Sequence, residues 1–300
     1  MPIDPSKAPL AALTMVHEED FFLERWVKYW RQFLPDDAIY ILNHGNNSDV
    51  ARIAAGCNVI SLPYDRLKKS VNQRRWQILS LHASALTHFY HWVACNDVDE
   101  LVVLDPAIST DLVGYLMEIS ARKVVPPALN CFAIEMVHNV ASEKEALQSG
   151  APLLGPRRCY RLNSNYAKPC LISCPTEFKA GGHGANHAQV TVDPHLYNFH
   201  LRFIDYDYGM ARFEKSLERR LVGKSEEEQT AIRKGQRGWD SVENTFTALS
   251  KQPIKAETID HPDFRKAMIE QKILRPPFTL MGGGRPDGIY RLPERFSGLF

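Results

Sequence analysis

The chain has 300 residues, about the size of one large domain. Hydrophobic residues make up 44% and charged residues 24%, which is ordinary for a globular protein. Thirty-six basic residues against thirty-five acidic residues give a net charge of +1. This balance argues against intrinsic disorder and against a protein that binds nucleic acid through bulk positive charge.

The cysteines and the N-terminal segment indicate in which cellular compartment the protein would be found. Six cysteines in 300 residues are too sparse for a disulfide scaffold, and none forms a C-x-x-C pair. Residues 1–9 contain Asp4 and three prolines in place of the apolar core of a signal peptide. No apolar run approaches the roughly 20 residues that span a bilayer. We expect a cytoplasmic protein with reduced thiols and no transmembrane segment, and we leave peripheral membrane association open.

The first 140 residues alternate between strand and helix patterns. Short apolar runs predict strands at residues 10–16, 38–43, 58–62 and 89–95. Between them, helical patterns occupy residues 22–33, 48–56 and 70–86. We expect Ser48 to cap the second helix, and Ser70 with Gln73 resembles a capping box for the third. This alternation predicts βαβ units and a mostly parallel sheet.

The pattern changes after this region. Residues 110–123 predict a helix and residues 131–137 a strand, whereas residues 150–200 mix Pro, Gly, Asn and His with short apolar runs. Residues 211–249 are helical and heavily charged. The last fifty residues are rich in proline and predict a surface tail with one helix near 264–274. We therefore expect an α/β unit over 1–210 and a helical and looped extension over 211–300, packed on the same domain.

Residues 92–106 carry the clearest chemical signal. Asp97 and Asp99 directly follow an apolar strand, at the carboxyl end where α/β sheets bind ligands. Clustered carboxylates repel one another unless a cation intervenes, and hard divalent cations prefer oxygen ligands. A divalent ion held in this way can bind a diphosphate.

The order of these features resembles a family 2-type glycosyltransferase of GT-A fold, in the branch that carries an Asp-x-Asp-Glu motif. The resemblance covers residues 10–210, and the chain departs from the family at His17-Glu18, usually Asn-Glu, and at Asn43-His44, usually Asp-Asn. The matching pieces are 16–19, 22–26, 43–49, 73–76, 97–100, Asp105-Pro106, 181–184, 200–202 and Asp205.

The resemblance implies a GT-A-type, Rossmann-like, mostly parallel sheet flanked by helices, with residues 1–210 as the nucleotide-sugar-binding and catalytic domain. It implies a metal-dependent glycosyltransferase that moves a hexose from a nucleotide-diphosphate sugar to a hydroxyl of a glycan or glycolipid. Such an enzyme would act in bacterial-type polysaccharide or cell-surface glycan synthesis.

The same resemblance implies roles for individual residues. Asp97 and Asp99 would bind Mn²⁺ or Mg²⁺ and the diphosphate, with Asp99 the direct ligand, and the metal would act as a Lewis acid. His200 would supply a further ligand, and His183 joins the metal candidates because its glycine-flanked loop can cover a ligand. The remaining donor-binding candidates are Val16, His17, Glu18 and Asn43 around the nucleoside, and Gln73 and Arg75 at the nucleotide or sugar.

The general base is open between Glu135, after an apolar strand, and Glu177, just before the glycine-rich loop. Two basic stretches, 64–76 and 157–168, could line a site for a diphosphate or an anionic acceptor.

Three other classes of protein share some of these features. A nucleotidyltransferase can use Asp-x-Asp on a similar sheet, but it usually begins with a glycine-rich basic loop, whereas residues 16–19 are acidic and lack glycine. A carboxylate-metal hydrolase would need a second metal cluster, which the sequence does not show. A non-catalytic sugar-binding module is the third alternative. The donor, the acceptor, the stereochemical outcome and the oligomeric state are not determined by the sequence.

Overall fold

The computed structural model describes residues 3–64, 71–148, 150–234 and 240–300. The strands are β1 (Ala8–Val16), β2 (Ile39–His44), β3 (Asn58–Leu62), β4 (Tyr90–Cys95), β5 (Glu100–Leu104), β6 (Ala128–Val137), β7 (Cys159–Leu162), β8 (Pro169–Ile172), β9 (Gly184–Ala185), β10 (Thr191–Phe203), β11 (Ile254–Glu257), β12 (Ile273–Arg275), β13 (Phe278–Leu280) and β14 (Ile289–Arg291). The helices are α1 (Asp20–Trp30), α2 (Ser48–Ile53), α3 (Val71–Leu86), α4 (Leu112–Ser120), α5 (Tyr206–Leu221), α6 (Glu226–Lys234), α7 (Asp240–Leu249) and α8 (Pro262–Glu270).

One large sheet organises the chain. Its first part has the order β3-β2-β1-β4 with all strands parallel, and α3 and α4 both pack on β1 and β4. Beyond β4 the sheet is mixed: β8 and β7 are antiparallel to β6, while β10 runs parallel to β6 and antiparallel to β5. The predicted class, a Rossmann-like α/β sheet flanked by helices, is confirmed, and the antiparallel strands follow the parallel part.

The parallel part forms where the sequence has buried apolar runs. Every residue of β1 from Leu10 to Val16 is buried, as expected of a central parallel strand covered on both faces. In α1, Phe22, Trp26 and Tyr29 recur at helical spacing and are buried. Burial of each such side chain contributes about 1.5–3 kcal/mol, which accounts for a helix packed on the sheet.

Two predicted helix starts have different outcomes. The cap of α2 is Asn47 and not Ser48, because the Asn47 side chain accepts a hydrogen bond from the Asp49 amide at 3.0 Å. The expectation for Ser48 is therefore wrong by one residue. The capping box assigned to Ser70 falls on a residue outside the described ranges.

The end of the chain differs from the surface tail expected from its prolines. Strand β14 joins the main sheet through β7, and β11 joins it through β14. Phe296 and Phe300 are buried, and the Phe300 ring lies 5.3 Å from that of Tyr29. The final residues therefore complete the core beneath α1. Within the described ranges, no helix has both the length and the apolar character needed to cross a membrane.

Candidate functional site

A cavity of about 590 Å³ lies at the carboxyl ends of β1 and β4, where open α/β sheets bind ligands. We call it the charged cavity, because four basic and four acidic side chains line it: Arg75, Lys168, Arg202, Arg212, Glu19, Asp97, Asp99 and Glu100. Its other lining residues are Met15, His17, Val71, Asn72, Val98, Tyr166, Gly181, His183 and His200. Such a lining suits a small ligand that itself carries charge.

Sheet register places a row of polar side chains at one edge of this cavity. Glu100 begins β5 and pairs with His200 of β10, which pairs in turn with Glu135 of β6. Glu135 pairs with Arg161 of β7. Because paired residues present their side chains on the same face of a sheet, four strands from distant parts of the chain bring these groups together.

Protein cations contact the carboxylates of the Asp-x-Asp-Glu motif. Lys168, only 3% exposed, places Nζ 3.0 Å from Asp97 Oδ2 and 2.6 Å from Glu100 Oε1. The Arg75 guanidinium donates a hydrogen bond to Asp97 Oδ1. Both oxygens of Asp97 are therefore engaged by positive groups.

Asp99 is paired from the other side of the cavity. Arg212 of α5 donates from Nε to Glu19 Oε1 at 2.8 Å and from Nη1 to Asp99 Oδ2 at 3.3 Å. Burial alone would raise the pKa of Asp99, but the charge of Arg212, with His200 and Arg202, lowers it to about 2. Asp99 is therefore a carboxylate throughout the physiological pH range.

The carboxylates of the charged cavity have the chemistry that a divalent cation needs. Asp97, Asp99 and Glu100 supply hard oxygen atoms, and the buried Glu100 carboxylate forms an ion pair with Lys168. Across the described ranges, no three His, Cys, Asp or Glu side chains are arranged to hold a metal ion. The predicted metal set of Asp97, Asp99, His183 and His200 lines one cavity and stays a prediction.

The two histidines of that set have other contacts in this arrangement. His200 stacks on Tyr166 with ring centroids 3.7 Å apart, and its Nδ1 lies 3.4 Å from Glu135 Oε1. His183 donates from Nδ1 to the carbonyl oxygen of Asn165 at 2.7 Å. Burial lowers the pKa of His183 to about 4, so its imidazole is neutral at pH 7.

Neither candidate base reaches the cavity. Glu135 is 1% exposed, accepts hydrogen bonds from Arg161 Nε and from Asn163 Nδ2, and does not line the cavity. Burial opposes its charge, but His200 and Arg161 lower its pKa to about 2. Glu177 is exposed and also lies outside the lining. The structure therefore places Glu135 in a supporting position beneath His200 and Glu177 on the surface.

Of the four nucleoside-binding candidates at the ends of β1 and β2, one lines the charged cavity and three do not. His17 lines the charged cavity, whereas Val16 is buried within β1. Glu18 follows with φ +51°, and its carboxylate lies 3.7 Å from Lys215 Nζ. The Asn43 side chain accepts from the Asn47 amide and donates to the Asn47 carbonyl, both at 2.9 Å. Asn43 therefore shapes the turn after β2 and does not present its amide to a ligand.

The helix candidates are Gln73 and Arg75 of α3. Arg75 lines the cavity, but Gln73 is exposed and lies outside the lining, where Asn72 takes part instead. Gln73 directly follows Asn72, and successive side chains of an α-helix point about 100° apart, so the motif by itself does not show which of these neighbours faces the cavity.

A second, apolar cavity of about 470 Å³ adjoins the first and shares Met15, Val71 and Arg75 with it. We call it the aromatic slot; its remaining lining residues are His44, Leu62, Pro63, Tyr64, Arg74 and Ile78. The Tyr64 ring lies 4.9 Å from that of His17 at an interplanar angle of 29°. Flat rings on an apolar floor offer a surface on which a planar heterocycle can stack.

Gly45 makes room for the stacking of the His17 ring on the Tyr64 ring. Its φ of +93° is in the left-handed region, and an added Cβ would lie 3.1 Å from His17 Nδ1. His17 Nδ1 in turn donates to the carbonyl oxygen of His44 at 2.8 Å. The turn after β2 thus holds the His17 ring against Tyr64.

Sequence reasoning assigned no role to Tyr64, Tyr166 or Arg212. Lys168 lay within a basic stretch predicted to meet an anion, and it does line the charged cavity, whereas Arg157 of the same stretch pairs with Asp205 at 2.7 Å. Arg212 lies in a helix of mixed charge, which gave no signal. Its partner Glu19 directly follows His17-Glu18, and this third polar side chain after β1 was the signal in the sequence that a cation contacts this turn.

Comparisons with known proteins assign no family. No protein-family model matches the chain, and no curated protein sequence matches it significantly. Among solved structures, a mannose-1-phosphate geranyltransferase from Thermus thermophilus is similar with 17% identity and a TM-score of 0.29, over 75% of this chain and 68% of that one. A glycosyltransferase involved in the glycosylation of the major capsid of PBCV-1 is similar with 13% identity and a TM-score of 0.22, over 48% and 57%. Likenesses this weak assign no activity.

Proposed function

We propose that this protein is a glycosyltransferase that moves a hexose from a nucleoside-diphosphate sugar to a hydroxyl of a glycan or glycolipid acceptor. One observation carries the proposal: a charged cavity at the carboxyl ends of β1 and β4 continues into an aromatic slot. A ligand that fits both parts has a planar base at one end and a strongly charged group beside it. We place the reaction in the cytoplasm as part of the same proposal.

The cations of the cavity suit a diphosphate. Arg75 and Arg212 present guanidinium groups, which match phosphate oxygens with paired N–H donors, and Lys168 adds a buried point charge. Arg75 lines both the charged cavity and the aromatic slot. A diphosphate at Arg75 would therefore leave its nucleoside beside Tyr64 and His44.

The proposed reaction breaks the bond between the anomeric carbon and the diphosphate oxygen, and the electron pair leaves on the diphosphate. The acceptor hydroxyl oxygen forms the new bond to that carbon, and its proton passes to a basic group of the cavity or to solvent. Positive side chains that contact the leaving oxygens would stabilise the charge that develops there. Asp97 and Asp99 would hold a divalent cation, which when bound would supply further Lewis-acid stabilisation of that charge.

The direct test measures thermal unfolding with UDP-, GDP-, dTDP- and CDP-linked hexoses, each in Mn²⁺, in Mg²⁺ and in EDTA. A ligand at 100 times its Kd stabilises the folded state by about 2.7 kcal/mol, so one donor is expected to raise the Tm by several degrees. The matched nucleoside monophosphates serve as controls. If no donor raises the Tm under any of the three conditions, the proposal is wrong.

Turnover separates the proposal from the other classes. Incubation with the stabilising donor and a glycan acceptor is expected to release a nucleoside diphosphate. Release of pyrophosphate from a nucleoside triphosphate would instead show nucleotidyl transfer. Binding without any turnover over a range of acceptors would show a sugar-binding module.

A further inference from the structure

Positive side chains neutralise the carboxylates that a divalent cation would need. Asp97 is contacted by Arg75 and by Lys168 Nζ, and Asp99 by Arg212 Nη1 at 3.3 Å. Lys168 is almost wholly buried, whereas the Arg75 and Arg212 side chains are about a quarter exposed. The two arginines can therefore exchange partners more readily than the lysine.

This pairing opposes a divalent cation that enters by itself. The ion would meet carboxylates whose charge is already compensated, with four positive side chains lining the same cavity, and like charges at short range repel one another. The described residues also gather fewer than three potential ligand side chains at one point. Mg²⁺ in proteins is commonly held by one or two carboxylates together with substrate phosphates.

A diphosphate changes both the pairing of the carboxylates and the number of ligand oxygens in the cavity. Its oxygens are better partners for a guanidinium than a single carboxylate oxygen at 3.3 Å. Guanidinium N–H groups that turn to the diphosphate release Asp97 Oδ1 and Asp99 Oδ2. The diphosphate also supplies the ligand oxygens that the protein lacks.

We propose that a diphosphate and a divalent cation bind this cavity cooperatively because Arg75 and Arg212 act as a lock on Asp97 and Asp99. In the free protein the arginines hold the two carboxylates in ion pairs. When a diphosphate enters, it takes the arginines as its own partners, and the carboxylates become available to the cation. This inference rests on the proposed function and adds an order of assembly to the same site.

The experiment measures Mn²⁺ binding to the full chain by electron paramagnetic resonance, alone and with saturating UDP, GDP, dTDP, CDP or inorganic pyrophosphate. Mn²⁺ held by each diphosphate in the absence of protein is measured separately and subtracted. We expect Mn²⁺ affinity to rise at least about fivefold with a diphosphate that binds, the lower end of usual coupling factors. By linkage, Mn²⁺ must strengthen diphosphate binding by the same factor, which calorimetry in EDTA and in Mn²⁺ measures independently.

A variant tests the lock itself. Arg75→Gln frees Asp97 Oδ1, so the free protein is expected to bind Mn²⁺ several-fold more tightly while its diphosphate affinity falls. Arg52→Gln is the matched control, because Arg52 is an exposed arginine whose partner, Asp49 at 3.4 Å, lies outside both cavities. The control is expected to change neither the Mn²⁺ affinity nor the diphosphate affinity.

The outcomes separate the inference from the proposed function. Equal Mn²⁺ affinity with and without a bound diphosphate would overturn the inference and leave the function standing, as would diphosphate binding with no Mn²⁺ bound in either state. Failure of all five diphosphates to bind, in Mn²⁺ and in EDTA, would overturn both. Arg212→Gln, which frees Asp99 Oδ2, tests the lock in the same way if Arg75→Gln does not fold. Unchanged Mn²⁺ affinity in the free, folded variant would overturn the lock.

Discussion

The carboxylate of Glu135 keeps its charge inside the sheet because three side chains face it. Arg161 and Asn163 donate to Oε2, and His200 Nδ1 lies 3.4 Å from Oε1. Removal of one partner from a buried ion pair leaves the other charge uncompensated, which costs more than the pair itself contributes. Glu135 is therefore expected to act on stability and on the position of His200.

We predict that Glu135→Gln lowers the free energy of unfolding by about 3–5 kcal/mol, because the guanidinium of Arg161 loses its buried partner. Urea unfolding at pH 7 measures the change. Glu177→Gln is the matched control and should remain within about 0.5 kcal/mol of wild type, since Glu177 is exposed. A fully stable Glu135→Gln protein that has lost turnover would favour the general base instead.

Gly182 holds the loop that carries His183. Its φ is +67°, and an added Cβ would lie 2.3 Å from Cη2 of Trp76, a buried ring of α3. Two non-bonded carbon atoms cannot approach so closely, so any side chain at position 182 must move either the loop or α3.

We predict that Gly182→Ala destabilises the fold by about 2–4 kcal/mol, through backbone strain and overpacking together, and weakens diphosphate binding by displacing one wall of the cavity. Gly223→Ala is the control, because Gly223 has φ +71° but a Cβ added there would have no atom of the described residues within 4 Å, apart from its chain neighbours. Chemical denaturation and calorimetry measure the two effects. Equal losses in both variants would show that strain alone, and not contact with Trp76, is responsible.

At the level of elements, an ion pair joins the end of β5 to the C-terminal segment. Arg295 donates from Nε and Nη2 to the two oxygens of Asp105 at 2.7 and 2.9 Å. Burial would raise the pKa of Asp105, but hydrogen bonds from Arg295 and from the Ala107 amide lower it. The pair thereby holds the last residues of the chain against the sheet.

We predict that Arg295→Ala lowers the free energy of unfolding by about 1 kcal/mol at pH 7, since the pair is bidentate but partly exposed. Because the folded pKa of Asp105 lies below the ordinary value of 3.8, the contribution is complete above pH 3.8 and disappears as pH falls through the folded value. Unfolding of wild type and variant at pH 7 and at successively lower pH tests this. A difference that persists below the folded pKa would assign the effect to packing.

On the scale of the whole molecule, residues from both ends of the chain share one core. Strands β11 and β14 extend the sheet that β1 begins, and Phe296 and Phe300 pack against Phe199 of β10. A region that supplies strands and core side chains to a common sheet is expected to unfold with it.

We predict a single unfolding transition, in which tryptophan fluorescence and far-UV circular dichroism change at the same urea concentration. Four of the five tryptophans lie within residues 1–210, so fluorescence reports mainly on that part of the chain. Phe296→Ala is expected to cost about 3–5 kcal/mol and to shift both signals together. Exposed Phe89, replaced by alanine, is the control. Separate transitions would show that the C-terminal region folds independently.

Local patterns in the sequence were sufficient for the first half of the fold. The apolar runs of β1 to β4 and the helical spacing of α1 and α3 are short-range signals, and they predicted the parallel sheet and the position of Asp97 and Asp99 at its edge. The cap at Asn47 and the burial of Phe296 and Phe300 were not predicted, because each depends on contacts rather than on composition.

The sequence by itself thus determined the class of fold, the carboxylates at the strand end and the presence of basic stretches near them. Only the tertiary structure decided which charges meet. Lys168 and Arg212 reach the motif, Arg157 does not, and Glu135 lies under His200. The physical reason is the pairing of strands far apart in the chain. It makes neighbours of side chains on β5, β10, β6 and β7, and it brings β8, which directly follows Lys168, beside β4 and β6. Arg212 lies on α5, which follows β10, and no local pattern encodes these long-range contacts.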